Sequence, residues 1–127
     1  MIALTYPSSR MESFVAEYPL YKAAGVSPAM FIVYSFFYLF YYLGWEFFFR
    51  GYMQFGLKGR LGDANAILVQ TLASCLVHLG KPDAEIYSSI LGGIVWGMIV
   101  FRARSLFPVL LLHWFLGISL DAFIIYS

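Results

Sequence analysis

Residues 31–57 read FIVYSFFYLFYYLGWEFFFRGYMQFGL. From Phe31 to Leu43 there is no charge; then Glu46 and Arg50 stand inside the same apolar run. A helix of about 20 apolar residues is long enough to cross a bilayer. Charge within such a helix is costly and marks a site by default. The stretch therefore predicts a membrane-spanning helix with a purpose for two charged residues. Being four apart, Glu46 and Arg50 share a helix face and can pair.

The whole chain has the same character. Of its 127 residues 61% are hydrophobic, 20% are aromatic and 12% are charged. Soluble domains are roughly half apolar and a quarter charged. The length suits a single domain. A net charge of +1 and the lack of a basic run argue against nucleic acid as a partner. Cys75 is the lone cysteine, so neither an internal disulfide nor a cysteine metal cluster can form within one chain. Its apolar surroundings suggest a buried, inert thiol. MIALTYPSSRMESFVAEYPLY has no continuous apolar core after a basic start, so it does not read as a signal peptide. No prenylation motif is visible at the C-terminus. Anchoring by the chain's own helices in the lipid bilayer is expected.

The predicted class is an all-α membrane protein, a bundle of about four transmembrane helices with an interfacial N-terminal segment. Residues 1–27 form that segment, a loop or interfacial region with one short amphipathic helix, because Pro7, Pro19 and Pro28 break any long one. Residues 28–127 form the helical core. Its first helix runs from Pro28, with Ser27 as N-cap, to Leu57. LKGRLGD is a turn, and the second helix follows from Asp63 to Leu79. Gly80 and Pro82 stop it. The third runs from Asp83 to Phe101 and the fourth from Ser105 to Tyr126. Lys58, Arg60, Arg102 and Arg104 collect on one side, the better cytoplasmic candidate. Ser89, Gly93 and Gly97 form a small-residue stripe suited to close helix packing.

Three further ionisable residues fall within the spans: His78, His113 and Asp121. His113, Gly117 and Asp121 recur every four residues and share a face. Counted from the nearest basic-side turn, Glu46, His78 and His113 lie roughly 17, 22 and 12 Å deep at 1.5 Å per residue. Three helices thus bring ionisable groups into one slab. A carboxylate and two imidazoles can activate water, with glutamate as general base and histidine stabilising an oxyanion. Glu46, His78 and His113 are also the set that would hold a divalent metal such as zinc, although no HExxH helix is present. No G-x-S-x-G elbow occurs either. The residues alone lead to an intramembrane site of hydrolytic character.

In order, WEFFFRG, LVHLGKPDAE and GGIVWGMIVFRARSLFPVLLLHW resemble the CPBP family of intramembrane proteases. This family includes CAAX-prenyl endopeptidases and the bacteriocin-processing or immunity (Abi) proteins. Its pattern is EExxxR, FxxxH and HxxxN on separate membrane helices. The resemblance implies catalytic roles for Glu46, Arg50, His78 and His113, with glutamate and histidine activating water for attack on a peptide bond. It also implies a peptide or membrane-associated protein as substrate, and a bacterial or archaeal plasma membrane as location. Family members usually carry further helices before the first motif, so a homo-oligomer or additional helices are expected. The chain departs from the pattern at Trp45, where the first glutamate belongs, at Ser74 for phenylalanine, and at Gly117 for asparagine. Glu46 alone, or Asp121 one turn beyond Gly117, would then supply the missing polar group. The alternative implied is a membrane scaffold or immunity factor that keeps the fold without the reaction.

Overall fold

Pro28 opens the first long helix and Ser27 caps it, its hydroxyl accepting from the Met30 amide at 3.2 Å. The computed structural model describes residues 2–127, and every regular element among them is helical. Two short helices come first, α1 (Ile2–Ser8) and α2 (Glu12–Glu17), then a 3-10 turn at Lys22–Gly25. The N-terminal segment therefore holds two short helices and a turn where one helix was expected. Then come α3 (Pro28–Glu46), a π-helical segment (Phe47–Gln54), α4 (Phe55–Val77), α5 (Asp83–Ala103) and α6 (Phe107–Tyr126).

Three runs are long and apolar enough to cross a membrane: Pro28–Val77, Asp83–Ala103 and Phe107–Tyr126. The first, at 50 residues, is too long for one straight span. Gly62 breaks it, with φ +76° and ψ 170°, a conformation essentially open to glycine alone. The turn expected over LKGRLGD falls within that stretch but narrows to Gly62: the chain stays helical through Leu61 and again from Asp63.

Burial is inverted relative to a water-soluble protein. Of the seven largest fully buried side chains, five are polar: Gln54, Gln70, Glu46, Asp121 and Ser74. Large apolar side chains such as Ile32, Phe36, Phe37 and Phe40 stand 55–68% exposed. In water such a surface would aggregate. In a bilayer it is the expected one, since polar groups must be satisfied inside and apolar groups face lipid. With three spanning runs, this is an integral membrane protein.

Contacts divide the chain into two units, Met1–Tyr42 with Leu111–Ser127, and Leu43–Leu110. In the first, Tyr34, Tyr38 and Tyr42 recur one turn apart on α3, and their rings pack at 5.0 and 4.6 Å between successive centroids. The Tyr34 hydroxyl donates to Asp121 Oδ2 at 2.7 Å, and Trp114 Nε1 to the Ser35 carbonyl at 2.8 Å, which ties α6 to α3. Lys22 Nζ reaches the carbonyls of Ala16 and Tyr18, capping the C-terminal end of α2.

In the second unit Gly62 reverses the chain. Gln54 and Gln70 each lie eight residues from it. Gln54 Nε2 donates to the Gly97 carbonyl at 2.9 Å and Gln70 Nε2 to the Gly93 carbonyl at 2.8 Å, so both arms of the hairpin grip α5. A Cβ on Gly93 would stand 2.7 Å from the Thr71 side chain, and one on Gly97 would stand 2.9 Å from Gln54 Oε1. The small-residue stripe is therefore a packing surface, as its spacing suggested. Lys58 pairs with Asp63 at 3.3 Å and lies over the Phe101 ring at 4.6 Å. That contact brings the Lys58 turn beside the end of α5 where Arg102 and Arg104 follow.

Candidate functional site

The hairpin fixes where the candidate residues of the second unit lie. Glu46 and His78 are each sixteen residues from Gly62, roughly 24 Å along the helices from the reversal. They belong to the end of the unit away from its basic turns.

Glu46 and Arg50 pair as their spacing predicted, Arg50 Nη1 donating to Glu46 Oε1 at 3.1 Å. Glu46 is wholly buried and Arg50 is 2% exposed. The pair occupies the passage from α3 into the π-helical segment. Such segments are rare and concentrate at functional sites. The Arg50 guanidinium also lies 5.5 Å from the centroid of the buried Trp96 ring on α5. Its Nε has no hydrogen-bond partner among the described residues.

His78 caps the C-terminal end of α4. Its Nδ1 is 2.7 Å from the Ser74 carbonyl oxygen, which can only accept, so Nδ1 carries a proton. This fixes the ring and turns Nε2 outward. The Trp45 ring meets His78 edge-on at 5.2 Å between centroids. Nε2 faces Glu85 Oε1 at 3.9 Å, both side chains being four-fifths or more buried. Sequence reasoning missed Glu85. Its signal was present in HLGKPDAE, an acid in the first turn of the next helix after a Gly-Pro stop.

In the first unit His113 packs against Tyr42, with ring centroids 4.3 Å apart. Tyr42 also occupies the space next to Gly117, where a Cβ would stand 2.8 Å from Tyr42 Cζ and still closer to its hydroxyl oxygen. A tyrosine hydroxyl thus fills the position beside His113 where the resemblance calls for an asparagine. Asp121, the other candidate for that role, is wholly buried and accepts from Tyr34 through Oδ2, and its Oδ1 has no partner among the described residues.

This crowding makes a prediction. Gly117→Asn is expected to destabilise the protein by about 1–3 kcal/mol, the usual cost of overpacking a core. Tyr42 is 6% exposed and held between Tyr38 and His113, so its ring has nowhere to retreat. Unfolding in detergent checks this; the double variant Gly117→Asn with Tyr42→Ala is expected to lose less than the sum of the two changes.

As metal ligands the residues divide. An imidazole whose Nδ1 bonds a backbone carbonyl presents Nε2 as metal-binding histidines do. Glu46 does not suit a cation, because the Arg50 guanidinium already neutralises it at 3.1 Å. Among the described residues no three His, Cys, Asp or Glu side chains gather as a ligand set. Glu46, His78 and His113 therefore do not fit a zinc site.

A family model described as type II CAAX prenyl endopeptidase Rce1-like matches residues 25–118, which is 94 of the 127 residues. The match includes Trp45, Glu46, Arg50, His78, Glu85, His113 and Gly117. No curated protein and no solved structure matches the chain. The chain belongs to the Rce1-like type II CAAX prenyl endopeptidase family.

Proposed function

From this membership we propose that the chain is a multi-pass intramembrane endopeptidase that hydrolyses a peptide bond with water activated at His78. The observation that carries the reading is the His78 ring, fixed through Nδ1 on the Ser74 carbonyl with Nε2 turned to a carboxylate. An imidazole so held presents Nε2 as a fixed acceptor that can orient and polarise a water. Glu46 and Arg50 tie the π-helical segment to the end of α3, which carries Trp45 to the His78 ring; full burial beside a guanidinium suits Glu46 to this work better than to proton abstraction. The substrate is a peptide or the tail of a membrane-associated protein. The membrane is the plasma membrane of a bacterium or archaeon, with the Lys58, Arg60, Arg102 and Arg104 side in the cytoplasm.

One observation favours a second reading. Trp45 packs on His78 from the position at which the resemblance places a glutamate. A scaffold or immunity factor that has lost the reaction would carry this replacement. Incubating the purified protein in bilayer nanodiscs with a peptide library, beside Trp45→Glu, separates the two. Cleavage by the native protein supports the protease. Cleavage by Trp45→Glu alone supports the scaffold.

A further inference from the structure

The Glu85 carboxylate and the His78 ring are brought together by a short connection. Only residues 78–82 separate the end of α4 from α5, and Gly80 turns the chain there at φ +93°. Glu85 then falls in the first turn of α5, its amide donating to the Pro82 carbonyl at 2.8 Å. Across the turn its Oε1 faces His78 Nε2 at 3.9 Å. Because Nδ1 holds the ring proton of a neutral His78, Nε2 is then an acceptor, and so is the carboxylate oxygen. Two acceptors at 3.9 Å are too far apart for a direct hydrogen bond and suit a shared water that donates to both. Side-chain exposures of 15% for His78 and 19% for Glu85 leave such a water a route in.

We propose that Glu85 is a catalytic residue, the general base that works with His78 and supplies the carboxylate lost at Trp45; the proposal rests on the hydrolytic reading above. The shared water gives one proton to Glu85 as its oxygen bonds to the peptide carbonyl carbon. The carbonyl π pair moves to the carbonyl oxygen, forming a tetrahedral oxyanion. On collapse the C–N bond breaks, and the leaving nitrogen takes the proton held by Glu85. The second water proton, hydrogen-bonded to Nε2 throughout, stays on the new carboxyl group. One peptide and one water become one acid and one amine, and Glu85 ends as it began.

The test is steady-state cleavage by the purified full chain in nanodiscs, with native protein, His78→Ala, Glu85→Gln and Glu85→Asp. Glu85→Gln keeps the size of the side chain and removes the base. It is expected to lower kcat about 100-fold or more with KM nearly unchanged, the scale of a lost general base. Glu85→Asp keeps a carboxylate at the start of α5 and is expected to recover about tenfold of that loss. A merely structural role at the helix start predicts instead that melting temperature and KM move with kcat. Should Glu85→Gln fail to fold, Glu85→Asp decides: kcat below native at constant KM supports the base, and native kcat overturns it. If the native protein cleaves, His78→Ala does not and Glu85→Gln cleaves as well as native, the protease stands and the role of Glu85 falls. If the native protein cleaves nothing, both fall.

Discussion

Arg50→Met is expected to destabilise the protein by about 3–5 kcal/mol, the cost of removing one partner from a buried ion pair. The magnitude follows from burial. Glu46 is wholly buried and Arg50 is 2% exposed, so no water replaces the guanidinium once it is gone. The variant also loses the stacking of Arg50 on Trp96, 5.5 Å from its centroid, which joins the π-helical segment to α5. The double variant Glu46→Gln with Arg50→Met removes both charges and is expected to regain most of the loss, because a neutral amide is far cheaper to bury than a lone carboxylate. Unfolding in detergent micelles, followed by circular dichroism, compares the two. Equal losses would mean that Arg50 acts through packing and not through Glu46.

His78→Ala is expected to lower kcat for peptide cleavage by about 10²–10⁴-fold, the range over which positioned acid–base groups contribute. Its effect on stability is expected to be small, about 1 kcal/mol, because the ring gives up one hydrogen bond to the Ser74 carbonyl and an edge contact with Trp45. The pairing of a large kinetic loss with a small thermodynamic one is the signature. Cleavage rates and melting temperatures of the same preparation check it. A variant that melts like the native protein and still cleaves would remove His78 from the reaction.

Which of these features could be read from the sequence depended on how local each was. The Glu46 and Arg50 pair was legible because helical spacing alone places residues four apart on one face. Ser27 was legible because a cap concerns four consecutive residues, here Ser27 to Met30. Gly93 and Gly97 revealed a packing surface through periodicity, and Gln54 and Gln70 show which side chains use it. The π-helical segment was not legible, since FFFRGYMQ carries no pattern that distinguishes it from an ordinary helical turn. LKGRLGD looked like a seven-residue turn, whereas one glycine at positive φ does the work and the flanking residues stay helical. Glu85 and Tyr42 escaped for a different reason. Their significance lies in what they face, His78 across a turn and Gly117 across a helix contact, and neither distance is encoded in spacing along one helix. The departures from the family pattern at Trp45 and Gly117 were visible as losses. Only the fold shows that a carboxylate faces His78 from another helix, and that a hydroxyl fills the gap at Gly117.

Under the proposed function, water activated at His78 opens a peptide bond inside the membrane domain. The most direct test of that step is cleavage of a peptide by the native protein in water enriched in oxygen-18, with the fragments weighed by mass spectrometry under single-turnover conditions. The expected result is one heavy oxygen in the new C-terminal carboxyl group and no peptide bound covalently to the protein at any time. Intact peptide after prolonged incubation, or an acylated protein formed ahead of the product, would contradict it.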